Sequence, residues 1–273
     1  MTGSLRDRFG VVTGAGSGIG RETARLLGAE GMRLALLDID GDRLDETVAL
    51  LPEGTRVRAL RTDVRDQQSV TAAAHDAVGF GGTPSLLVNS AGILGPHDSK
   101  VWELSVADWQ AVLAVNLFGT VNTVRAFLPG MRAASRSGHI VIIASLAGLL
   151  PEARAAAYGA AKHALVAYAE TLEHQLAEEN SPIGVSLVCP GAVATDFNLA
   201  LRTSADFNGR SRPDLLGAEA VAQRIMAAIQ RPTFYVFTHP GSRERLDRYH
   251  GRLIASRDQP AIPAEPDSEG QLL

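Results

Sequence analysis

Three side chains with complementary chemistry, a hydroxyl, a phenol and an ammonium group, occur in one short stretch of the sequence. Ser145 follows residues 139–144, an apolar, β-branched run that is typical of a buried parallel strand. Tyr158 and Lys162 lie in an alanine-rich run, residues 151–179, which predicts a helix. Side chains four residues apart meet on one helix face, and open α/β sheets bind ligands at the carboxyl ends of their strands. The three groups are therefore predicted to converge on one point.

This group of side chains is suited to proton transfer. A free tyrosine has a pKa of about 10, which is too high for a useful base at neutral pH. A nearby lysine charge lowers that pKa, so that the phenol can take a proton from an alcohol or give one to a carbonyl. A serine hydroxyl can hold the same oxygen while its charge changes. An isolated Tyr-x-x-x-Lys pair more often has its tyrosine in the core and its lysine in solvent, so the assignment depends on the rest of the chain.

The composition is that of a globular protein. The 273 residues are 45% hydrophobic and 21% charged, which fits one large α/β domain. The net charge of −4 offers no general attraction for nucleic acid or anionic membrane. The N-terminus has no apolar signal region and no apolar run approaches the length of a membrane span, so a soluble cytoplasmic protein is predicted.

Neither the cysteine nor the histidines suggest a metal or redox site. The single cysteine, Cys189, cannot form an internal disulfide, and its strand-like surroundings predict a buried structural thiol rather than a reactive one. The seven histidines show no metal-ligand spacing, so no metal is predicted.

A glycine-rich turn near the N-terminus predicts a phosphate-binding site. Residues 9–13 are a short apolar strand, and a helix is predicted from about residue 19 to 30. Between them lie Gly14, Gly18 and Gly20, in the order Gly-x-x-x-Gly-x-Gly. Glycines let the backbone approach a phosphate closely, and a helix N-terminus offers it unpaired N–H groups. A lone glycine loop is a weak signal, but this one lies between a strand and a helix, as such a site requires.

Acidic residues follow the next two predicted strands. Strand 33–38 ends at Asp38, which is placed to bond the ribose hydroxyls of an adenosine. The alternative role for Asp38, capping the next helix, suits Asp40 better. Strand 56–61 is followed by Asp63, which either bonds an adenine amino group or caps the following helix.

The remaining elements continue the alternation of strands and helices. Strands are predicted at residues 85–89, 184–189 and 233–237, and helices at about 108–131, 217–230 and 242–256. The alternation predicts a doubly wound, mostly parallel seven-stranded sheet with helices on both faces, in a single domain over residues 1–256. Asn116, on an otherwise apolar helix face, is costly unless bonded, so it either braces backbone or takes part in a proton path.

Three further segments carry separate predictions. Residues 192–214 are polar and irregular, a candidate lid. The helix 242–256 is basic and amphipathic, and docking on the domain is favoured over membrane or nucleic-acid contact. Residues 257–273, with three prolines among acids, are predicted to be a disordered tail.

Taken in order, these motifs resemble those of ordinary members of the short-chain dehydrogenase/reductase family, over nearly everything from residue 9 to 237. The family's glycine loop matches residues 13–20, and its Asn-Asn-Ala-Gly element matches residues 89–92 with Ser90 replacing the second asparagine. Its Pro-Gly turn and following threonine match residues 190, 191 and 195. Its four catalytic residues match Asn116, Ser145, Tyr158 and Lys162.

The resemblance implies a Rossmann fold, a nicotinamide dinucleotide, a homo-oligomer (a dimer or a tetramer) and the interconversion of a secondary alcohol and a ketone. Tyr158 would be the general base in oxidation and the general acid in reduction, and Ser145 would orient the substrate oxygen. Lys162 would lower the tyrosine pKa and hold the nicotinamide ribose, and Asn116 would anchor a water in a proton relay. Thr195 would hold the carboxamide or a nearby phosphate. The residues implied at the cofactor are Gly14, Gly16, Ser17, Gly18, Ile19, Gly20, Asp38, Asp63, Val64, Asn89, Ala91, Gly92, Tyr158, Lys162, Pro190, Gly191, Val193 and Thr195.

The dinucleotide is predicted to be NAD, with NADP second. A 2′-phosphate would meet the carboxylate of Asp38 at close range, and the two like charges repel. Arg21 and Arg61 would soften this repulsion, whereas Ser17 adds no positive charge. The substrate lining is predicted from residues 93–102, 146–151 and 192–214. The first two segments are mostly apolar and favour an apolar or aromatic alcohol or ketone over a sugar. Arg202, Arg210 and Arg212 in the third could admit an anionic group, although flexible surface arginines are the commoner case.

Two other functions remain open at this point. One is a dinucleotide-binding redox sensor that catalyses nothing, against which the four intact catalytic residues argue. The other is a scaffold or interaction protein on the same fold. Its only support is the arginine-rich helix after Ser242.

Overall fold

Strands and helices alternate along the residues that this computed structural model describes, 4–195 and 215–257. The strands are β1 (Phe9–Thr13), β2 (Arg33–Asp38), β3 (Val57–Arg61), β4 (Leu86–Asn89), β5 (Gly138–Ile143), β6 (Ile183–Cys189), β7 (Val193–Ala194), β8 (Leu216–Gly217) and β9 (Tyr235–Phe237). The helices are α1 (Gly18–Ala29), α2 (Gly41–Ala49), α3 (Gln67–Gly81), α4 (Val106–Leu113), α5 (Gly119–Ala133), α6 (Ala156–Glu178), α7 (Ala218–Gln230) and α8 (Ser242–Arg257).

Seven of these strands form one parallel sheet, in the order β3-β2-β1-β4-β5-β6-β9. The predicted doubly wound α/β fold is therefore confirmed. The strand order reverses between β1 and β4, and a crevice opens at the carboxyl ends of the strands at such a switch point. The glycine turn after β1 and the segment after β4 lie at this crevice.

Helices cover both faces of the sheet, since every residue of β1, β4 and β5 is buried and most of these residues are apolar. One core contains Phe127 of α5 and Leu165 of α6 together with alanines of α3. The other contains Leu27 of α1 and Ile225 of α7. The two cores hold the strand ends that carry the candidate site in fixed positions.

The predicted long helix at residues 108–131 is interrupted. It runs as α4 and α5, joined by a π-helical turn at Ala114–Phe118. By length and composition alone, the stretch Val106–Ala133 would be long and apolar enough to cross a membrane, so the prediction that no run approaches that length is wrong. Core helices of soluble proteins pass the same test, and Phe127 and Met131 of this stretch are buried in the core.

The chain divides into two compact units at Pro240. The second unit contains α8, where a basic amphipathic helix was predicted, and Leu253 and Ile254 of this helix are exposed. The single domain over residues 1–256 stays a prediction. The predicted tail lies outside the described residues from position 258 onward, and so do residues 196–214 of the predicted lid.

Candidate active site

Ser145 and Tyr158 are joined by a side-chain hydrogen bond at the carboxyl end of β5. Ser145 lies two residues beyond the buried strand β5, and its Oγ accepts the Ala147 N–H at 3.1 Å and donates to the Pro190 carbonyl at 3.3 Å. Tyr158 lies in the first turn of α6. The two oxygens can therefore hold a single substrate oxygen between them.

Lys162 lies one turn further along α6 and is buried. Its Nζ donates to the Ile143 carbonyl at 2.8 Å and lies 5.5 Å from the centroid of the Tyr158 ring. Burial lowers the pKa of Lys162 to about 7, although the nearby Cys189 thiol opposes this shift. Burial therefore weakens the preference of this amine for its charged form.

The surroundings of Tyr158 favour its protonated form. Burial raises the pKa of Tyr158 to about 12, and this outweighs the lowering by the Ser145 hydrogen bond. Lys162 was expected to lower the pKa of Tyr158, but the side chains of this chain give a net rise in that pKa. A protonated phenol is the form that donates to a carbonyl oxygen. Burial also raises the pKa of Cys189 to about 12, which fits a structural thiol.

Asn116 lies in the π-helical turn, with no exposed surface. Its Nδ2 donates to the Ile93 carbonyl at 2.8 Å and to the Val112 carbonyl at 3.0 Å, so it braces the segment after β4 against α4. Its Oδ1 has no partner among the described residues. A Cβ at Gly92 would lie 2.8 Å from this Oδ1 and 3.8 Å from Lys162 Nζ, so both atoms border the same small space. An unpaired buried acceptor beside an amine suits a bound water.

The glycine turn is packed against the segment after β4. Gly14 has a φ of +62°, and a Cβ there would lie 2.7 Å from the Ala91 backbone. Ser17 begins α1 without a side-chain cap, so the first N–H groups of the helix are not covered by that hydroxyl. Gly18 contacts Thr195, since a Cβ at position 18 would lie 3.0 Å from the Thr195 Cγ2. A close backbone turn before an uncapped helix start fits the diphosphate of a dinucleotide.

Asp38 holds the glycine turn. Its Oδ2 accepts the Gly16 N–H at 2.9 Å and its Oδ1 accepts the Asp40 N–H at 3.1 Å. Each carboxylate oxygen retains acceptor capacity beyond one such bond, so both can still accept a ribose hydroxyl. Arg21 is already engaged, because its guanidinium contacts the Gly16 carbonyl and pairs with Glu46 at 2.7 Å.

The acids after β2 and β3 have different local roles. Asp40 caps α2 by accepting the Arg43 N–H at 3.2 Å, as expected. Asp66, and not Asp63, caps α3, so the capping alternative for Asp63 is wrong. Asp63 instead pairs with Arg65 at 2.7 Å, and the hydrogen bond from Arg65 lowers the pKa of its carboxyl.

Hydrogen bonds of the Thr13 and Thr123 hydroxyls hold residues 89–92 in place. The Asn89 side chain accepts a hydrogen bond from Thr123 of α5, which ties β4 to that helix. The hydroxyl of Thr13 accepts the N–H groups of Ser90 at 3.1 Å and Ala91 at 3.3 Å. Because Thr13 binds the backbone at position 90, this brace is independent of the side chain there, and Ser90 leaves it intact.

Most of the other cofactor residues implied by the resemblance lie around the same strand ends. Val64 is buried beside Gly119, and its carbonyl accepts a hydrogen bond from Asn122 at 2.9 Å. Ile19 packs against one core, and Val193 is buried in the same core. A Cβ at position 20 would lie 2.1 Å from the Gly14 carbonyl oxygen, so no side chain fits at Gly20.

His239 is a further residue of this site that the sequence does not predict. This buried histidine follows β9 and binds two backbone groups of the loop after β6. Its only sequence signal is a histidine two residues beyond a strand, which does not point to a partner 48 positions away.

The residues predicted to line the substrate site differ in burial. Leu146 and Leu150 are buried, Leu146 in the core, whereas Trp102 is 79% exposed. Asp98 joins the loop after β4 to the segment before α6, because its N–H donates to the Arg154 carbonyl at 2.8 Å and its carboxylate lies 3.6 Å from the Arg154 guanidinium. The arginines of the predicted lid, at positions 202, 210 and 212, lie outside the described residues. Across residues 4–195 and 215–257, no three His, Cys, Asp or Glu side chains are grouped to hold a metal ion.

Comparisons with known proteins agree with this arrangement. The sequence profile of the short chain dehydrogenase family matches residues 9–206. The 1-deoxy-11-beta-hydroxypentalenate dehydrogenase of Streptomyces avermitilis is 33% identical over 243 residues, which cover 89% of this chain and 88% of the relative. A short chain dehydrogenase/reductase from Burkholderia phymatum, solved in complex with NAD, superimposes with a TM-score of 0.85 at 34% identity, over 97% of this chain and 100% of the other. A short chain dehydrogenase from Mycobacterium paratuberculosis, solved bound to NAD, gives a TM-score of 0.78 at 26% identity, over 89% of this chain and 100% of the other.

Proposed function

The chain belongs to the short-chain dehydrogenase/reductase family, and from that premise we propose that it is an NAD-dependent oxidoreductase that interconverts a secondary alcohol and a ketone by hydride transfer. Its relatives are dehydrogenases and oxidoreductases that act on CH–OH groups, and the enzyme class follows from them. The observation that carries the proposal is the Ser145–Tyr158 hydrogen bond beside the buried Lys162. A scaffold role does not require a phenol and an amine to be buried together at the end of a strand.

The proposed mechanism assigns one task to each side chain. When bound, the dinucleotide supplies the hydride acceptor or donor. Tyr158 gives its proton to the ketone oxygen, and takes it back from the alcohol in the other direction. Ser145 holds the same oxygen while its charge changes. Lys162 and the unpaired Asn116 Oδ1 border one small space, which suits a water that returns the proton to Tyr158.

The protonation states of Tyr158 and Lys162 bear differently on reduction and on oxidation. A pKa of about 12 keeps Tyr158 protonated and ready to donate. Oxidation requires the phenolate, and this form gains stability from a protonated Lys162 and from the Ser145 hydrogen bond. Because the pKa of Lys162 is about 7, the positive charge on its amine falls as the pH rises above neutral.

NAD is proposed over NADP because of the charges around Asp38. Both oxygens of Asp38 are held by backbone N–H groups, so the carboxylate cannot turn away from a 2′-phosphate without breaking those bonds. Arg21, which would have softened the repulsion, is neutralised by Glu46. Two solved relatives that contain NAD support the same choice.

An apolar or aromatic substrate is proposed from the segments beside Tyr158. Leu149 is partly buried against the core, and Leu94 is only partly exposed. The Streptomyces relative is named for a hydroxylated compound, 1-deoxy-11-beta-hydroxypentalenate, which supports an alcohol as the substrate class.

We extend the proposal to a soluble cytoplasmic homo-oligomer, a dimer or a tetramer. Val106 of α4 is 72% exposed and Phe118 of the π-helical turn is 54% exposed, and such apolar exposure on neighbouring elements is typical of a subunit contact. A monomeric mass by light scattering at micromolar protein would contradict the oligomer.

The substitution Tyr158→Phe tests the proposed chemistry. The variant should lose turnover by about 10²–10⁴-fold, the usual contribution of general acid–base catalysis, while it still binds NADH. The measurement is NADH absorbance with a panel of secondary alcohols and ketones, together with NADH fluorescence for binding. Tyr168→Phe, a tyrosine on the same helix α6 that packs against the core, is the matched control and should retain most turnover.

Two outcomes would contradict the assignment. A near-normal rate in Tyr158→Phe would remove Tyr158 from the reaction. A wild-type protein that binds NADH but turns over no member of the panel would favour the non-catalytic redox sensor.

A further inference from the structure

Two adjacent backbone groups in the loop after β6 are held by one buried histidine. The Gly191 N–H donates to His239 Nδ1 at 2.9 Å, and His239 Nε2 lies 2.8 Å from the Ala192 carbonyl oxygen. His239 is 8% exposed and follows β9, so it reaches the loop from the edge strand of the sheet. A single side chain thus fixes the orientation of two successive residues.

The pattern of donors and acceptors determines the form of the imidazole. A backbone N–H only donates and a backbone carbonyl only accepts, so Nδ1 must accept and Nε2 must carry the proton. Only the neutral imidazole with its proton on Nε2 meets both needs. The Thr238 hydroxyl lies 2.7 Å from Nδ1 and adds a further contact to the acceptor side of the ring.

The loop held by His239 lies between the catalytic serine and the glycine turn. Its first residue, Pro190, accepts the Leu146 N–H at 2.8 Å and the Ser145 hydroxyl at 3.3 Å. Its last described residue, Thr195, contacts Gly18 of the glycine turn. Residues 190–195 therefore extend from the serine that holds the reacting oxygen to the helix start that would hold the diphosphate.

The ring also packs against the loop and secures its middle. A Cβ at Gly191 would lie 3.0 Å from both Cγ and Cδ2 of His239, so the ring rests on the glycine backbone. The Ala192 carbonyl that His239 binds also accepts the Leu216 N–H at 3.2 Å, next to the β7–β8 pair. Without the imidazole, Gly191 would lose the acceptor for its N–H, and the Ala192 carbonyl would keep only the Leu216 N–H.

We propose that His239 is a positioning residue for the nicotinamide half of the dinucleotide. It acts through Gly191 and Ala192, and it leaves the adenosine half to the glycine turn and Asp38. The inference rests on the proposed function, because it assumes that residues 190–195 meet the nicotinamide end of the cofactor. It adds to that function a residue remote in sequence. Loss of this residue should weaken binding of the nicotinamide half and leave binding of the adenosine half unchanged.

The test compares two ligands on the full-length protein. His239→Phe keeps a ring of similar size but neither hydrogen bond, so the loop must be ordered when the ligand binds. NADH binding should therefore weaken roughly tenfold, which corresponds to an ordering cost of about 1.4 kcal/mol. ADP-ribose lacks the nicotinamide, so its Kd should change less than about twofold. NADH fluorescence measures the first affinity and calorimetry measures the second. A general loss of structure would weaken both ligands equally.

Three further variants complete the design. His239→Asn places an amide oxygen near the Nδ1 position and should recover part of the NADH affinity by restoring the Gly191 bond. Thr238→Val removes the neighbouring hydroxyl, leaves the Gly191 and Ala192 bonds in place and should bind NADH like the wild type. If His239→Phe does not fold, His239→Gln, which reaches only the Ala192 carbonyl, carries the same expectation of weaker NADH and unchanged ADP-ribose binding.

The outcomes separate this inference from the proposed function. Unchanged NADH affinity in a folded His239→Phe variant would overturn the positioning role, and so would an equal loss of NADH and ADP-ribose affinity. A wild-type protein that binds neither ligand would overturn the dinucleotide site itself and the inference with it. Weaker NADH binding with unchanged ADP-ribose binding supports both.

Discussion

Asp38 has two tasks in this molecule, one in the protein and one toward the ligand. It fixes the Gly16 N–H in the glycine turn, and it is the carboxylate that a ribose would meet. A group that already stabilises the turn is held rigidly for the second task, because both of its oxygens are bound to backbone. Selection of the dinucleotide is therefore coupled to the conformation of the turn.

We expect the wild-type protein to prefer NAD over NADP by tenfold or more in kcat/KM, since the loss of a bond to a charged group costs roughly 1.5–3 kcal/mol. Asp38→Ser should narrow this gap, mainly by improving NADP. It should also lower the efficiency with NAD, because the shorter serine does not reach the Gly16 N–H. Both cofactors are to be assayed on wild type, Asp38→Ser and Asp45→Ser, an exposed acid on α2 that serves as the control. Equal use of the two cofactors by the wild type would show that Asp38 does not read the ribose.

At the scale of elements, the site depends on the contact between the turn after β1 and the segment after β4. Thr13 binds the backbone of Ser90 and Ala91, and Gly14 lies against the same backbone. The two strands are neighbours at the switch point of the sheet, so their carboxyl ends have little room between them. Any side chain at Gly14 would enter that contact.

Gly14→Ala and Gly54→Ala form a matched pair that isolates this contact. Both glycines have positive φ, +62° and +80°, so alanine at either position should cost about 1–2 kcal/mol of backbone strain. Only Gly14 has backbone atoms 2.7 Å from the added carbon, whereas nothing lies within 4 Å at Gly54. We expect Gly14→Ala to cost a further ~1–3 kcal/mol from overpacking and to lose NADH binding. Urea unfolding and NADH fluorescence measure the two effects, and equal unfolding free energies for the two variants would contradict this account.

The elements could be predicted where the signal is local. The unit from β1 through α1 to β2 follows from apolar runs and glycines that are adjacent in sequence, and its predicted bounds differ from the structure by a residue at most. The π-helical turn at Ala114–Phe118 could not be predicted, because one extra residue in a helical turn leaves the apolar pattern almost unchanged. Asp63 was ambiguous because an acid before a helix suits both a cap and a ligand, and only the position of Asp66 decides between them.

The residues of the candidate site could likewise be predicted where the signal is local, and not where it depends on distant parts of the chain. Ser145, Tyr158 and Lys162 lie on one strand end and one helix face, and their proximity follows from spacing. The burial that raises the pKa of Tyr158 and lowers that of Lys162 depends on how the whole chain packs, so the spacing of the residues could not reveal it. His239 acts across 48 positions of sequence, a separation at which composition and periodicity carry no information about contact.

At the scale of the whole molecule, acid stability should depend on His139, which is buried in β5 at the end of the sheet away from the candidate site. Its Nε2 bonds Ser186 at 2.8 Å, and its Nδ1 has no partner among the described residues. Ser186 donates to the Thr233 carbonyl at 2.6 Å, so it accepts from the histidine, whose Nε2 carries a proton. Burial lowers the pKa of His139 from its ordinary value of 6.5 to about 4.

The sign of the pH effect follows from this shift. Between about pH 4 and 6.5 the unfolded chain binds a proton at this histidine and the folded chain does not, so stability falls as the pH is lowered through that window. The slope contributed by one such group is at most about 1.4 kcal/mol per pH unit. His139→Phe should flatten the dependence of unfolding free energy on pH, and His75→Gln, an exposed histidine, should leave it unchanged. Parallel pH profiles for wild type and His139→Phe would exclude this role.

The small β7–β8 pair has a consequence for how this protein can acquire new specificities. Val193 pairs with Leu216 and Ala194 with Gly217, so the two ends of the stretch between these strands are fixed next to each other. The entropic cost of closing a loop between fixed ends rises by only about 0.6 kcal/mol for each doubling of its length. A change in the length of the stretch between these ends should therefore add little closure entropy by itself, while the β7–β8 pair, the sheet and the glycine turn stay as they are. The architecture is modular in this sense, and grafting that stretch from a relative is the natural first step in redesigning what the protein accepts.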